Sequence, residues 1–395
     1  MRYRATIVRR LARGKKPLAY INGLLMRIKV HGVVETLGAV CLFVMNGTVF
    51  AEHTPTATTT SEPETPTPAE PPAKRSPWLF LPTFSSNPKL GNAVGGMAAY
   101  VTKFDLKSQV SIFGLSAQYT DTESATAALI ARTSFSEDQH RISMVLVGGQ
   151  IKNDYDDFLG TGMPLKSEDH IRALLGRYLY RIKGDWFIGA QLLITNYHVY
   201  GQTALDDDVL NTLGLTGFES GGVGLVALHD SRDVQDKPSK GWLLNFNNVA
   251  YREAISGDNN FDVYRLDYRH FWSHGDGNVI AVRQSNQWTV DAPPSANAPV
   301  QLRGYTIGEY LGQNMSSLEV EERYKFAARW TATIFAGGAC LYGDGKTCES
   351  DNLYPTYGAG IQYVLKPQQG IVANLEYAEG KDGNNAVIFK MGYAW

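Results

Sequence analysis

The chain has 395 residues, of which 44% are hydrophobic and 11% aromatic, with 39 Gly, 21 Tyr and 16 Phe. This composition excludes a disordered chain, and beyond residue 51 no apolar run approaches the roughly 18 residues that a spanning helix needs, which excludes a helical membrane bundle. The formal net charge is −2, but residues 1–51 hold nine Lys and Arg against one acid, Glu35, so the remainder carries 28 basic and 38 acidic residues, a balance of −10. That balance argues against nucleic acid as a partner, whose phosphates call for a basic surface.

The N-terminus reads as an address. Arg27 and Lys29 precede an apolar run over 37–45, and Val49-Phe50-Ala51 is a small-residue cleavage pattern, so 1–51 is expected to be a secretory signal cut after Ala51. The segment ahead of Met26 is long for a basic leader, which makes Met26 an alternative start. A single membrane anchor competes with this reading, but the run is short for a span. Cys41 has no small residue directly before it, which disfavours a lipoprotein signal. Residues 52–77 are rich in Pro, Thr and Glu and lack aromatics, so they are expected to form a disordered periplasmic linker.

From Trp78 onward the period is two. Val387, Phe389, Met391, Tyr393 and Trp395 alternate with small or polar residues, as do Tyr357, Ala359, Ile361, Tyr363 and Leu365. A soluble sandwich turns its large residues inward and rarely places ten-residue segments one after another. Apolar residues outside and polar residues inside form the transmembrane barrel pattern, and closure leaves no unpaired edge in lipid. Segment counting predicts an all-β, antiparallel barrel spanning 78–395, with sixteen strands at 79–84, 92–102, 108–120, 123–135, 139–151, 170–182, 186–198, 217–229, 241–253, 260–272, 277–288, 316–326, 330–340, 356–365, 370–378 and 386–395. An even count puts both chain ends in the periplasm. The connections 327–329 and 366–370 then become short periplasmic turns, and 152–169, 199–216, 289–315 and 341–355 become long external loops. In an exported chain Cys340 and Cys348 are expected to pair and staple one of those loops.

Gln301-Leu-Arg-Gly-Tyr305, in a long loop before Ser317-Leu-Glu-Val-Glu-Glu-Arg-Tyr324, resembles the [VL]-R-G-[FY] loop motif of the bacterial surface antigen family. That family comprises the barrels of outer-membrane insertases and translocators. His229-Asp-Ser-Arg-Asp233 with Pro238 and Gly241-Trp242 is similar to the family's Asp-x-Arg-Asp…Pro-x-x-Gly turn, and Asp157-Phe-Leu-Gly-Thr-Gly162 to its aromatic-x-Gly-x-Gly segment. The resemblance implies a lumen loop carrying Leu302, Arg303, Gly304 and Tyr305, and a periplasmic turn carrying Asp230, Arg232, Asp233, Pro238 and Gly241. It also implies insertion, translocation or transport across the bacterial outer membrane.

A loop as long as 289–315 can fold back into the lumen, where an Arg at its tip is a buried cation that needs a carboxylate. The planar fork of Arg suits carboxylate oxygens. By alternation Ser317, Glu319, Glu321, Arg323 and Lys325 face the lumen, and Glu321 aligns with the family's acidic partner, so Arg303 is expected to meet Glu321. The family's second acid, from Phe-x-Asp-x-Gly, is missing in Phe335-Ala-Gly-Gly-Ala339. A solvated loop charge is the bland alternative for Arg303. Gly304 suits close backbone approach or positive φ.

Nothing the size of a POTRA domain fits between Ala51 and Trp78, so recruitment by such domains is expected to come from a periplasmic partner, if the barrel is not a diffusion channel or a structural barrel. The other expected partners are outer-membrane lipid and lipopolysaccharide, and the barrel-assembly machinery. Phe389, Met391, Tyr393 and Trp395 resemble the signal that hands barrels to that machinery; deleting Trp395 is expected to lower the amount of heat-modifiable folded protein, and unchanged folding rejects the idea. Pro82, which cannot donate to a ladder, and Gly392 suggest a weak seam between first and last strands, a gate by resemblance. His270 and His274 have an i, i+4 spacing, but on a strand this separates them by about 13 Å, so no metal site is expected. Asp206-Asp-Asp208 reads as a solvated charge run. With no nucleophile motif, an outer-membrane hydrolase is disfavoured and no cofactor is expected.

Overall fold

The computed structural model describes residues 76–87, 91–155, 165–213, 216–233, 238–293, 296–305, 310–366 and 371–391. The signal segment, nearly all of the linker, 157–162, Gly392, Tyr393 and Trp395 lie outside them. Sixteen strands follow one another: β1 (Trp78–Asn87), β2 (Gly91–Thr102), β3 (Ser111–Thr120) and β4 (Ala125–Phe135). Then come β5 (His140–Tyr155), β6 (Leu165–Lys183), β7 (Trp186–Gly201) and β8 (Gly217–Asp230). β9 (Gly241–Tyr251), β10 (Phe261–His274), β11 (Asn278–Val290) and β12 (Asn314–Lys325) continue the series. It ends with β13 (Trp330–Tyr342), β14 (Leu353–Lys366), β15 (Ile371–Gly380) and β16 (Asn385–Met391). Each pairs with the next in one sixteen-stranded antiparallel sheet. β1 and β16 bring Cα atoms within 8 Å of each other, yet no ladder joins them among the described residues.

The burial pattern is that of a barrel in lipid. On β12 the side chains of Ser317, Glu319, Glu321 and Arg323 are buried while Leu318, Val320 and Tyr324 are exposed. Likewise Leu225 is 72% exposed and Ile334 62%, whereas Glu376 is 1% exposed. A water-soluble sheet does the reverse, because exposing apolar area to water costs about 25 cal/mol per Å². Rings gather on the outer face near the short turns: Trp186 packs edge-on to His229, His229 stacks on Trp242 at 3.7 Å, and His270 stacks on Trp272 at 3.8 Å. Such a girdle belongs at the membrane interface. The two histidines weighed as metal ligands are engaged separately, His270 with the Tyr268 hydroxyl and His274 with Glu322.

The structure departs from the sequence reading at several places. β1 is ten residues long and Pro82 sits within it, opposite Gly96. The Pro77 carbonyl, assigned to the linker, already accepts the Val101 amide at 2.8 Å. β5 and β6 extend to Tyr155 and back from Leu165, well past the 9–11 residues that about cross a bilayer. Lys325, placed on the lumen face, is exposed at the end of β12. The loop 199–216 carries a helix, α1 (Ala204–Leu213), and the Asp run begins it. Thr203 Oγ1 accepts the Asp206 amide at 3.2 Å and its hydroxyl donates to the Asp206 carboxylate at 2.7 Å, while Asp207 Oδ1 accepts the Gly201 amide at 2.6 Å. Thr203 is the cap, and the two carboxylates fall in the first turn of the helix, where negative charge is stabilised.

The connection between β2 and β3 is closed by Asp105. Its carboxylate accepts the Ser108 hydroxyl at 2.6 Å and the amides of Glu137, Ser108 and Lys107 at 3.0, 2.7 and 3.1 Å. The Ser108 hydroxyl, with those amides, holds the carboxyl down at about 2, from an ordinary 3.8. A group depressed in the folded state adds stability above its unfolded pKa and loses it as pH falls through the folded value. Amide protection at Ser108 and Glu137 is therefore expected to fall between about pH 4 and pH 2, ahead of the β3–β4 ladder; protection that persists below pH 2 contradicts the assignment.

Candidate functional site

The connection between β11 and β12 turns back onto the buried, polar face of β12–β15. Ala298–Pro299 pairs antiparallel with Leu311–Gly312, and the Val300 amide donates to the Tyr310 carbonyl at 3.0 Å. Ala298, Val300, Leu302, Tyr305 and Tyr310 form a core with Met315, Ala339, Leu341 and Tyr354 of the strands behind them. Apolar burial thus holds the base of the loop against a wall that is otherwise polar.

At its tip Arg303 is sunk among carboxylates. Nη1 donates to Glu321 Oε2 at 2.6 Å, Nη2 to Glu319 Oε1 at 2.6 Å, and Nη1 reaches Glu376 Oε1 at 3.4 Å. The guanidinium lies flat over the Phe335 ring, 3.4 Å from its centroid, where the π face favours a cation. Glu321 is fully buried and Glu319 and Glu376 nearly so, so each charge depends on its partners. The backbone is fixed as firmly: the Thr356 hydroxyl donates to the Arg303 carbonyl at 2.6 Å. Gly304 has φ +90°, and a Cβ there would press on the backbone of Ala378 and Glu379. Tyr305 donates its hydroxyl to the Pro355 carbonyl and accepts the Lys381 amide, both at 2.6 Å.

The site continues toward the short turns. Glu321 Oε1 accepts Arg323 Nε at 2.6 Å, and Arg323 Nη1 donates to the Pro238 carbonyl at 3.4 Å. Pro238 belongs to the turn before β9, which is ordered by Asp233: its Oδ1 accepts the amides of Ser239 at 2.9 Å and Lys240 at 3.2 Å. Asp230 accepts Arg232 Nε at 2.7 Å and Arg141 Nη1 at 3.2 Å, and Gly241 opens β9. The structure therefore joins the loop segment at Arg303 to the turn at Pro238 through Glu321 and Arg323.

Glu319 and Glu376 were missed as partners of Arg303. Alternation placed Glu319 on the lumen face, but one strand's pattern cannot say which lumen residues meet across the barrel. In place of the absent Asp near Phe335, the second and third carboxylates come from β12 and β15, and Phe335 supplies its ring. Cys340 and Cys348 form a disulfide with Cα atoms 5.5 Å apart, at the long-loop end after β13. Closing so short a loop contributes under about 3 kcal/mol in the chain-entropy account; reduction is expected to expose 343–352 to protease while the barrel stays folded, and global unfolding on reduction contradicts this. β16 includes Phe389 and Met391.

No family model matches the sequence, and no curated protein matches it. Among solved structures the barrel is similar to BamA from Haemophilus ducreyi lacking POTRA domains 1–3, with a TM-score of 0.52 and 12% identity over 81% of this chain and 70% of that one. It is also similar to CdiB from Escherichia coli (TM-score 0.58, 12% identity, 83% of this chain and 64% of that) and CdiB from Acinetobacter baumannii (0.54, 11%, 80% and 59%). The chain thus spans less than two thirds of either CdiB chain. At such identities the likeness carries the fold alone, and the fold is a sixteen-stranded antiparallel β-barrel like those of BamA and CdiB.

Proposed function

We propose that this chain is an integral barrel of the bacterial outer membrane, of the insertase and translocator kind, in which the loop between β11 and β12 is a plug pinned by Arg303. The run from Arg303 through Glu321 and Arg323 to the Pro238 carbonyl carries this reading, because it fixes an inserted loop to the far end of the lumen. Under this reading the short turns face the periplasm, and a periplasmic protein supplies the recruitment that POTRA domains provide elsewhere. Lipid and lipopolysaccharide surround the outer face, and the barrel-assembly machinery inserts the chain. The β1–β16 seam is the lateral exit, since no ladder joins the two strands among the described residues and lipid cannot satisfy unpaired backbone groups.

Conductance in planar bilayers tests the plug. The full chain is expected to conduct little and a deletion of 295–312 to conduct freely; equal conductance of the two removes the plug. An already open full chain supports instead a passive diffusion channel, a reading favoured by the cavity of about 180 Å³ that Gln301 of the loop borders together with Arg177, Arg265 and Asp267 of the wall. Engineered cysteine pairs across β1 and β16 test the exit: locking the seam is expected to abolish complementation in cells lacking the native gene, and a locked barrel that still complements has no gate there.

A further inference from the structure

A second group of chemistry-bearing side chains lies on the outer face of β6 and β7, past the apolar band at the long-loop end. The outward residues of β6 run from Tyr178 and Leu174 to Arg172, His170 and Glu168; those of β7 run from Leu192 and Ile194 to Asn196, His198 and Tyr200. His170 and His198 stand directly opposite in the ladder, which puts their Cβ atoms about 4.5–5.5 Å apart. Tyr200 packs against both imidazoles, its ring centroid 5.1 Å from that of His170 and 6.2 Å from that of His198. The two histidine side chains are 48% and 40% exposed, so neither is locked by packing.

Each imidazole has one nitrogen turned to a carboxylate. His170 Nε2 donates to Glu168 Oε1 at 2.6 Å, and His198 Nε2 lies 3.4 Å from Glu219 Oε1. The carboxylates are held in turn, Glu168 by the Gln150 amide and Glu219 by Asn196 Nδ2 at 2.5 Å. An ionised carboxylate only accepts, so it keeps the proton on Nε2 and leaves the lone pair on Nδ1. Neither Nδ1 has a hydrogen-bond partner among the described residues. On its other side His198 faces Gly217, which has no side chain to cover it. Of the neighbouring cations, Lys152 is held by Glu123 at 2.7 Å, and Arg172, paired opposite Asn196, is exposed to solvent that screens it.

A histidine that ligates a metal characteristically gives its other ring N–H to a carboxylate, which fixes the ring and raises the basicity of the ligating nitrogen. Both histidines already stand in that relation. Imidazole nitrogen suits zinc, copper and nickel, with zinc at about 2.0–2.1 Å, and rings opposed across a ladder reach one ion by turning about their side-chain bonds. No three His, Cys, Asp or Glu side chains form a metal cluster among the described residues, so the ion takes two protein nitrogens and completes its shell with water. Magnesium and calcium, which call for several oxygens, are poorly served. We propose that His170 and His198 form a surface site for a divalent transition-metal ion of the zinc class, with Glu168 and Glu219 as positioning residues. The ion ties β6 to β7 where the strands leave the membrane. This assignment goes beyond the transport reading and does not depend on it.

Calorimetric titration of the folded, full-length barrel tests it, in neutral detergent, without a histidine tag and after treatment with a chelator that is then removed. Zinc chloride is expected to bind saturably and magnesium chloride not at all. His170→Ala and His198→Ala are each expected to weaken zinc binding at least tenfold, and Glu168→Gln, which keeps both imidazoles, about tenfold, the lower end for loss of an outer carboxylate. Copper(II) gives a second readout: its electron paramagnetic resonance spectrum is expected to show coupling to two imidazole nitrogens in the wild type and to one in each alanine variant. No saturable zinc heat overturns the proposal. So does zinc affinity left unchanged in either alanine variant that remains heat-modifiable, which places the ion elsewhere, or magnesium binding as tight as that of zinc.

Discussion

Arg303→Ala is expected to cost the barrel about 3–5 kcal/mol, the scale for removing one partner from a buried ion pair, and to lower the heat-modifiable fraction accordingly. The loss leaves Glu319, Glu321 and Glu376 buried around an empty site with Arg323 as the neighbouring cation. Glu321→Ala is expected to act in the same direction, because it takes a carboxylate from Arg303 and Arg323 at once. The double variant should be little worse than either single, since partners in one contact do not add. Arg303→Lys separates charge from shape: an ammonium keeps the charge but cannot fork between Glu319 and Glu321 while lying flat on Phe335. Melting in detergent measures all four; full additivity of the two alanine variants means that the contact contributes nothing.

Gly380→Val is expected to release the loop without unfolding the sheet. A Cβ at Gly380 would lie 2.6 Å from Tyr305 Cζ, so the ring must leave, and with it go the hydrogen bonds to Pro355 and Lys381. Valine suits the end of a strand, and β15 keeps its pairing with β14. Bilayer conductance should rise several-fold while the protein remains heat-modifiable, each lost hydrogen bond being worth about 1 kcal/mol. A silent barrel that retains the loop's protease protection shows that Tyr305 has another resting place.

The strands were legible because lipid imposes a rule on the outer face that every segment obeys, so that Leu318, Val320 and Tyr324 mark β12 as clearly as Tyr357, Ala359 and Ile361 mark β14. The rule weakens outside the apolar band. β5 and β6 run on through Lys152, Lys166 and Glu168, polar residues on the face that is apolar within the band, so the outer-face rule gives no signal there. Helix α1 was hidden by reading its acids as a charge run, although Thr203 three residues before Asp206 is the spacing of a capping box. Glu321 could be picked out by family likeness. Glu376 could not, because 73 residues separate it from Arg303 and nothing local in the sequence records who stands across the lumen.

The contacts from Arg303 through Glu321 and Arg323 to Pro238 also have a thermodynamic consequence. A molecule that binds the turn before β9 more tightly when Arg323 holds the Pro238 carbonyl must, by linkage, strengthen the hold of the wall on the loop by the same factor. The loop's release must weaken that molecule's binding equally. Three side chains and one carbonyl would thus let either aqueous face of the membrane register what is bound at the other, with no strand having to slide.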